Sequence, residues 1–106
     1  MTPTPLPEID LTAQDWNEVS RILDAIVPGC EVWVFGSRAT RMAKPYSDLD
    51  LVIITEERLS LATMADLTAA FDESDLAIKV DVVDWAATSE TFREIIRKTA
   101  VVVKKT

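Results

Sequence analysis

Two short runs of strand-forming residues constrain this chain more than any other feature. Glu31 to Phe35 leads straight into Gly36-Ser37, and Asp48 to Thr55 ends in four apolar side chains, Leu51 to Ile54. A strand with one wet face alternates polar and apolar residues, so such runs read as central strands buried on both sides. Helical periodicity surrounds them. Trp16, Val19, Leu23 and Ile26 recur every three or four positions, which predicts a first helix; Thr12 and Asp15 resemble a capping box at its start, and Pro28-Gly29 stops it. Ser60 to Phe71 places Leu61, Met64, Leu67 and Phe71 on one face of another helix, and Ala77 to Trp85 predicts a third strand with Lys79, Asp81 and Val83 on one side. Ser89 caps a helix that turns Phe92, Ile95 and Ile96 inward, and Ala100 to Val103 predicts a last short strand. The order α-β-loop-β-α-β-α-β, with no internal repeat, describes an α/β (α+β) domain.

With 106 residues, 48% of them hydrophobic, the chain can bury one core and no second. The alternating Pro3, Pro5 and Pro7 hold the backbone extended, so the expected division is a flexible tail over residues 1–10 and a folded domain over residues 11–106. One cysteine and no histidine exclude a disulfide, a Cys/His zinc site, a Ser-His-Asp triad and imidazole acid-base chemistry. Carboxylates, hydroxyls, lysine and arginine remain. No apolar run approaches the ~20 residues that cross a bilayer, and the N-terminus is neither basic nor followed by a signal-type stretch, so the expectation is a cytoplasmic chain without a membrane partner. Eighteen acidic against eleven basic side chains give a net charge of −7, which opposes direct nucleic-acid binding. A basic partner protein, or a substrate carried in with a divalent cation, is easier to accommodate.

The chemistry-bearing stretch runs from Gly36 to Asp50. A glycine at a strand end lets the backbone approach a ligand closely, and a short helix from about Ser37 would aim N–H groups and a hydroxyl at phosphate oxygens. By itself this pattern is also that of a Gly-Ser turn ending a strand. Asp48 and Asp50 leave the same strand face with Cα atoms ~6.6 Å apart. At an effective dielectric near 20 their repulsion is about 2.5 kcal/mol. A divalent cation removes that penalty, and Mg²⁺ typically takes one or two carboxylates, leaving room for water and phosphates. A turn cap at Asp48 with a solvated Asp50 is the competing arrangement. Asp81 stands in the apolar run Val80-Asp81-Val82-Val83, where an unpaired charge would cost several kcal/mol. If its strand neighbours that of Asp50, Asp81 becomes a metal ligand or the base for an attacking hydroxyl; otherwise it needs a salt bridge to Lys79 or Arg93. Asp84 faces the other side and reads as ordinary.

The pattern Gly36-Ser37, ten intervening residues, Asp48-x-Asp50, then Val80-Asp81-Val82-Val83 resembles the minimal nucleotidyltransferase (MNT) branch of the polymerase β-type nucleotidyltransferase superfamily. The resemblance covers about residues 12 to 105. It implies a mixed sheet of about four strands with helices packed on it, with the site at the strand ends. It further implies Asp48, Asp50 and Asp81 as catalytic and metal-binding residues, with one or two Mg²⁺, and Gly36, Ser37 and Arg38 on the triphosphate of ATP or another nucleoside triphosphate. The implied reaction is attack of an acceptor hydroxyl on the α-phosphorus with pyrophosphate leaving. Members this short commonly work with a HEPN-type all-helical protein, in some pairs as the antitoxin that adenylylates a tyrosine on a toxin. A non-catalytic subunit or antitoxin that occludes its partner sterically is the alternative. Arg41 stands where many relatives have glycine, which makes the loop stiffer or puts Arg41 on a phosphate.

Other residues carry less. Trp16, Trp33 and Trp85 sit on helix or strand positions that suit a core, whereas Tyr46, beside the aspartates, is a candidate for stacking on a base. Arg93, Arg97 and Lys98 fit a solvated helix end that favours cations, and Cys30 fits a small apolar filler.

Overall fold

The computed structural model describes residues 6–105. Its elements are α1 (Ala13–Ile26), β1 (Glu31–Phe35), α2 (Ser37–Thr40), β2 (Leu49–Ile54), α3 (Leu61–Asp72), β3 (Val80–Asp84), a 3₁₀ turn (Trp85–Ala87), α4 (Glu90–Thr99) and β4 (Val101–Lys104). The order is the one expected. Each long helix starts where a hydroxyl accepts a backbone N–H three residues on: Thr12 from Asp15, Ser60 from Thr63 and Ser89 from Phe92.

The four strands lie in the order β3-β2-β1-β4. β1 pairs antiparallel with β2 and β4, whereas β2 pairs parallel with β3. The sheet is therefore mixed, and β3 and β4 are its edges. Side chains alternate across it. On one face Val32, Val34, Leu49, Leu51 and Ile53 pack against Trp16, Val19, Ile22 and Leu23 of α1 and Leu67 and Phe71 of α3. On the other, Phe35 and Val52 meet Ile96 of α4, with Trp33, Ile54, Val83, Trp85 and Phe92 around them. That second layer is a single helix.

Two expectations need correction. The third strand is shorter than Ala77 to Trp85, because pairing begins at Leu49↔Val80 and Asp84 turns the chain into the 3₁₀ segment by accepting the Ala86 N–H. The tail does not extend to residue 10. Residues 1–5 lie outside the described part, but Ile9 is in the core, and Asp10 bonds to Arg38 through both its N–H and its carbonyl. The apolar Ile9 and the acceptor-rich Asp10 give that segment reasons to dock which the proline spacing hid.

Candidate active site

The register of the sheet decides where the acids meet. Asp50 pairs with Asp81 across the parallel β2–β3 ladder and with Phe35 across the antiparallel β1–β2 ladder. In-register side chains on neighbouring strands leave the same face. Asp50 has the parity of Val52, and Asp81 that of Val83, so both carboxylates emerge on the α4 side, at the sheet end where β1 runs into Gly36. Asp48, exposed just before β2, shares that parity.

Gly36 fits against this group. Its φ of 77° and ψ of −154° lie in a region side chains avoid, and a Cβ there would stand 2.7 Å from Asp50 Oδ2. The glycine is thus required both by the turn and by the carboxylate it faces. Its N–H donates to Thr99 Oγ1 at 3.0 Å, which ties the turn to the end of α4. Ser37 opens the four-residue α2, half-buried beside Gly36.

Burial first, and then the charges of Asp81 and Asp48, raise the Asp50 carboxyl above the ordinary aspartate range. Asp48 and Asp81 are therefore both close enough to act on Asp50 electrostatically. Among the described residues, however, no three acidic, cysteine or histidine side chains are gathered into a ready-made metal cage. Lys79 Nζ lies 3.4 Å from Asp81 Oδ1 and supplies part of the missing positive charge. Mg²⁺ usually keeps several waters and takes one or two carboxylates together with substrate phosphates, so an open set of hard oxygen donors fits it without a cage.

Several expectations about single residues change. Asp81 is not a buried charge: β3 is an edge strand, and the side chain is 43% exposed. Of its two suggested partners Lys79 is in place, whereas Arg93 instead donates to the Trp85 carbonyl and Thr88 Oγ1. Arg38 was expected on a triphosphate, but it is 7% exposed and donates to the backbone carbonyls of Asp10, Pro45 and Ser47. Arg41 adopts the left-handed conformation at φ 63°, which explains why glycine suits this position, and its Nε lies 3.5 Å from Asp10 Oδ1. Tyr46 is 90% exposed. Trp16 is in the core, and Trp33 and Trp85 pack edge to face at 5.4 Å, with the guanidinium groups of Arg93 and Arg97 over Trp85.

Three supporting residues escaped the sequence. Asp84 is buried and accepts hydrogen bonds from Thr55 Oγ1, Leu59 N and Ala86 N, which fixes the β2–α3 connection to the end of β3. A signal existed: an aspartate at a strand end two residues before a turn is a natural cap. Thr99 and Asp10 gave none, since their partners lie far along the chain. A groove of about 400 Å³ lies between α1 and the end of α3, lined by Glu18, Arg21, Ile22, Ala70 and Glu73, and contains none of the candidate residues. Of the acids, Asp48 is exposed and Asp81 43% exposed, whereas Asp50 is half-buried. None of the described helices is long and apolar enough to cross a membrane.

Comparison with known proteins identifies the family. A family model described as polymerase beta, nucleotidyltransferase, matches residues 30–106. The chain is 49% identical over 102 residues to the "Probable protein adenylyltransferase MntA" of Haemophilus influenzae, covering 96% of this chain and 90% of that one. A solved structure described as a minimal nucleotidyltransferase is 28% identical with a TM-score of 0.64, over 83% of this chain and 91% of that one. A chain of the complex described as a tri-AMPylated Shewanella oneidensis HEPN toxin with an MNT antitoxin shares the fold, with a TM-score of 0.64 at 20% identity, over 88% of this chain and 73% of that one. The chain, with its in-register acids beside a glycine turn, belongs to the polymerase beta nucleotidyltransferase family.

Proposed function

We propose that this chain transfers AMP from ATP, with Mg²⁺, to a tyrosine hydroxyl on a HEPN-type helical protein, and so serves as the antitoxin of a toxin–antitoxin pair. The observation that carries the reading is the meeting of Asp50 and Asp81 in register beside Gly36, where burial and then the neighbouring carboxylates raise the Asp50 carboxyl. Carboxylates forced together in this way are stabilised by a cation, and a triphosphate brings one. The relatives supply the rest: one is named an adenylyltransferase, and another lies in a complex with an AMPylated HEPN protein.

Asp48 and Asp50 would hold the ion, with Asp81 as a third ligand or as the base. Bound there, Mg²⁺ supplies neutralisation of the charge that develops on the phosphate oxygens. The Gly36-Ser37 turn would lie beside the triphosphate, and the absence of a Cβ at Gly36 lets the Asp50 carboxylate approach that turn closely. The acceptor oxygen forms a bond to the α-phosphorus while the bond from that phosphorus to the β-phosphate oxygen breaks, and pyrophosphate departs. The hydroxyl proton passes to a carboxylate, and Asp81, half-exposed on the same face, is placed to take it. Lys79, with its Nζ 3.4 Å from Asp81 Oδ1, orients that carboxylate at the edge of the sheet.

The test uses α-labelled ATP, Mg²⁺ and a purified HEPN-type protein. Wild type labels the partner, whereas Asp48→Asn and Asp50→Asn do not. Equal labelling by all three would remove the assignment.

A further inference from the structure

The loop that delivers Asp48 has no apolar anchor of its own. None of residues 42–48 is buried, and Met42 and Tyr46 are 77% and 90% exposed. Arg38, by contrast, is a buried cation. Its Nε and Nη2 donate to Ser47 O at 3.0 and 2.8 Å, Nη2 also reaches Pro45 O at 3.3 Å, and Nη1 donates to Asp10 O at 2.6 Å. The fork thus grips the carbonyls on both sides of Tyr46 and fastens them to the segment before α1. Asp10 completes the strap. Its N–H donates to Arg38 O at 2.8 Å, its Oδ2 accepts the Ala43 N–H at 3.2 Å, and its Oδ1 faces Arg41.

The grip on Ser47 matters most. Its carbonyl belongs to the same rigid peptide plane as the nitrogen and Cα of Asp48, so fixing that oxygen fixes where the Asp48 side chain starts. A planar guanidinium can span carbonyls that a lysine ammonium, a single point of charge, cannot.

We infer that Arg38 is a positioning residue of the transfer site, one that sets Asp48 through the Ser47–Asp48 peptide and does not contact the triphosphate. This rests on the transferase reading above. Arg38→Lys and Arg38→Met are compared with wild type in the full chain, titrating ATP and Mg²⁺ separately with the HEPN-type protein as acceptor, and folding is checked by thermal unfolding. Both variants lower kcat about 100-fold, the cost of a displacement of roughly 1 Å at a reacting centre, and leave the KM for ATP unchanged. Were Arg38 to bind phosphate, its replacement by methionine would instead raise KM, and lysine would restore much of the loss, because it keeps the charge. That outcome, or an unchanged kcat in Arg38→Met, overturns the inference while leaving the transferase reading intact. An inactive wild type overturns both. Should Arg38→Met fail to fold, Arg38→Lys decides: it keeps the charge but cannot span the carbonyls of Ser47, Pro45 and Asp10, so kcat falls at constant KM, and an unchanged kcat or a raised KM would overturn the inference.

Discussion

Replacing Asp50 by asparagine should make the metal-free protein more stable while ending transfer. Neighbouring strands lie ~4.8 Å apart, and two unit charges at that separation repel by about 3.5 kcal/mol at an effective dielectric of 20. Solvent and Lys79 reduce this, since Asp81 is 43% exposed and its oxygen is 3.4 Å from the ammonium; about 1 kcal/mol remains after that screening. Asparagine keeps the shape and drops the charge, so the midpoint of thermal unfolding in EDTA at neutral pH should rise by roughly 4–8 °C. The pH dependence has a definite sign. The Asp50 carboxyl is raised in the fold, so between the ordinary aspartate value and the raised one the native state binds more protons than the unfolded chain. Wild-type stability therefore grows as pH falls through that window, and the advantage of the variant shrinks with it. Added Mg²⁺ should stabilise wild type and leave Asp50→Asn nearly unmoved. An asparagine variant no more stable than wild type at neutral pH would refute the repulsion on which the site is argued.

Gly36→Ala places a Cβ 2.7 Å from Asp50 Oδ2 in a glycine-only conformation, so urea unfolding should show a loss of about 1–3 kcal/mol, and transfer should fall with it. Asp84→Ala removes the acceptor of the Leu59 N–H and of the Thr55 hydroxyl, while the Ala86 N–H keeps Thr55 Oγ1, and the same measurement should register a loss of about 1–3 kcal/mol. Arg41→Gly relieves a left-handed residue and removes only a largely exposed ion pair, so labelling assays should return an unchanged KM for ATP; a raised KM would place Arg41 on the phosphates instead.

The fold was legible wherever the signal is local. Hydroxyl caps at Thr12, Ser60 and Ser89 mark three helix starts, and the apolar run Leu51 to Ile54 marks a strand covered by helices on both faces. Strand parity puts Asp48 and Asp50 on one face, and Asp81 joins them on the condition, met in the structure, that β2 and β3 are neighbours. What local pattern could not convey was depth and reach. Val80 to Val83 looked like an interior strand, but the sheet order puts it at the edge, and Asp81 gains solvent in place of the burial assigned to it. Arg38, read beside the glycine turn, looked free to meet phosphate, because nothing in neighbouring residues announces that the carbonyls of Asp10, Pro45 and Ser47 will take its donors. Thr99 and Gly36 are joined by folding alone, across 63 positions.

The edge position of β3 has a consequence for the proposed reaction. A fully buried trio of aspartates would be protonated or unfolded at neutral pH, since desolvation costs several kcal/mol per charge. A fully solvated trio would repel too weakly to bind a cation with any preference. Asp50 sits toward the interior between β1 and β3, where burial raises its proton affinity, and Asp81 stands at the rim, 43% exposed and beside Lys79. The pair therefore spans a gradient of polarity across one strand spacing. A hydroxyl presented by another protein reaches the rim first, so under the proposed mechanism the carboxylate that must accept its proton is also the one the acceptor can approach. Moving Asp81 to an interior strand would strengthen the electrostatics and close that approach.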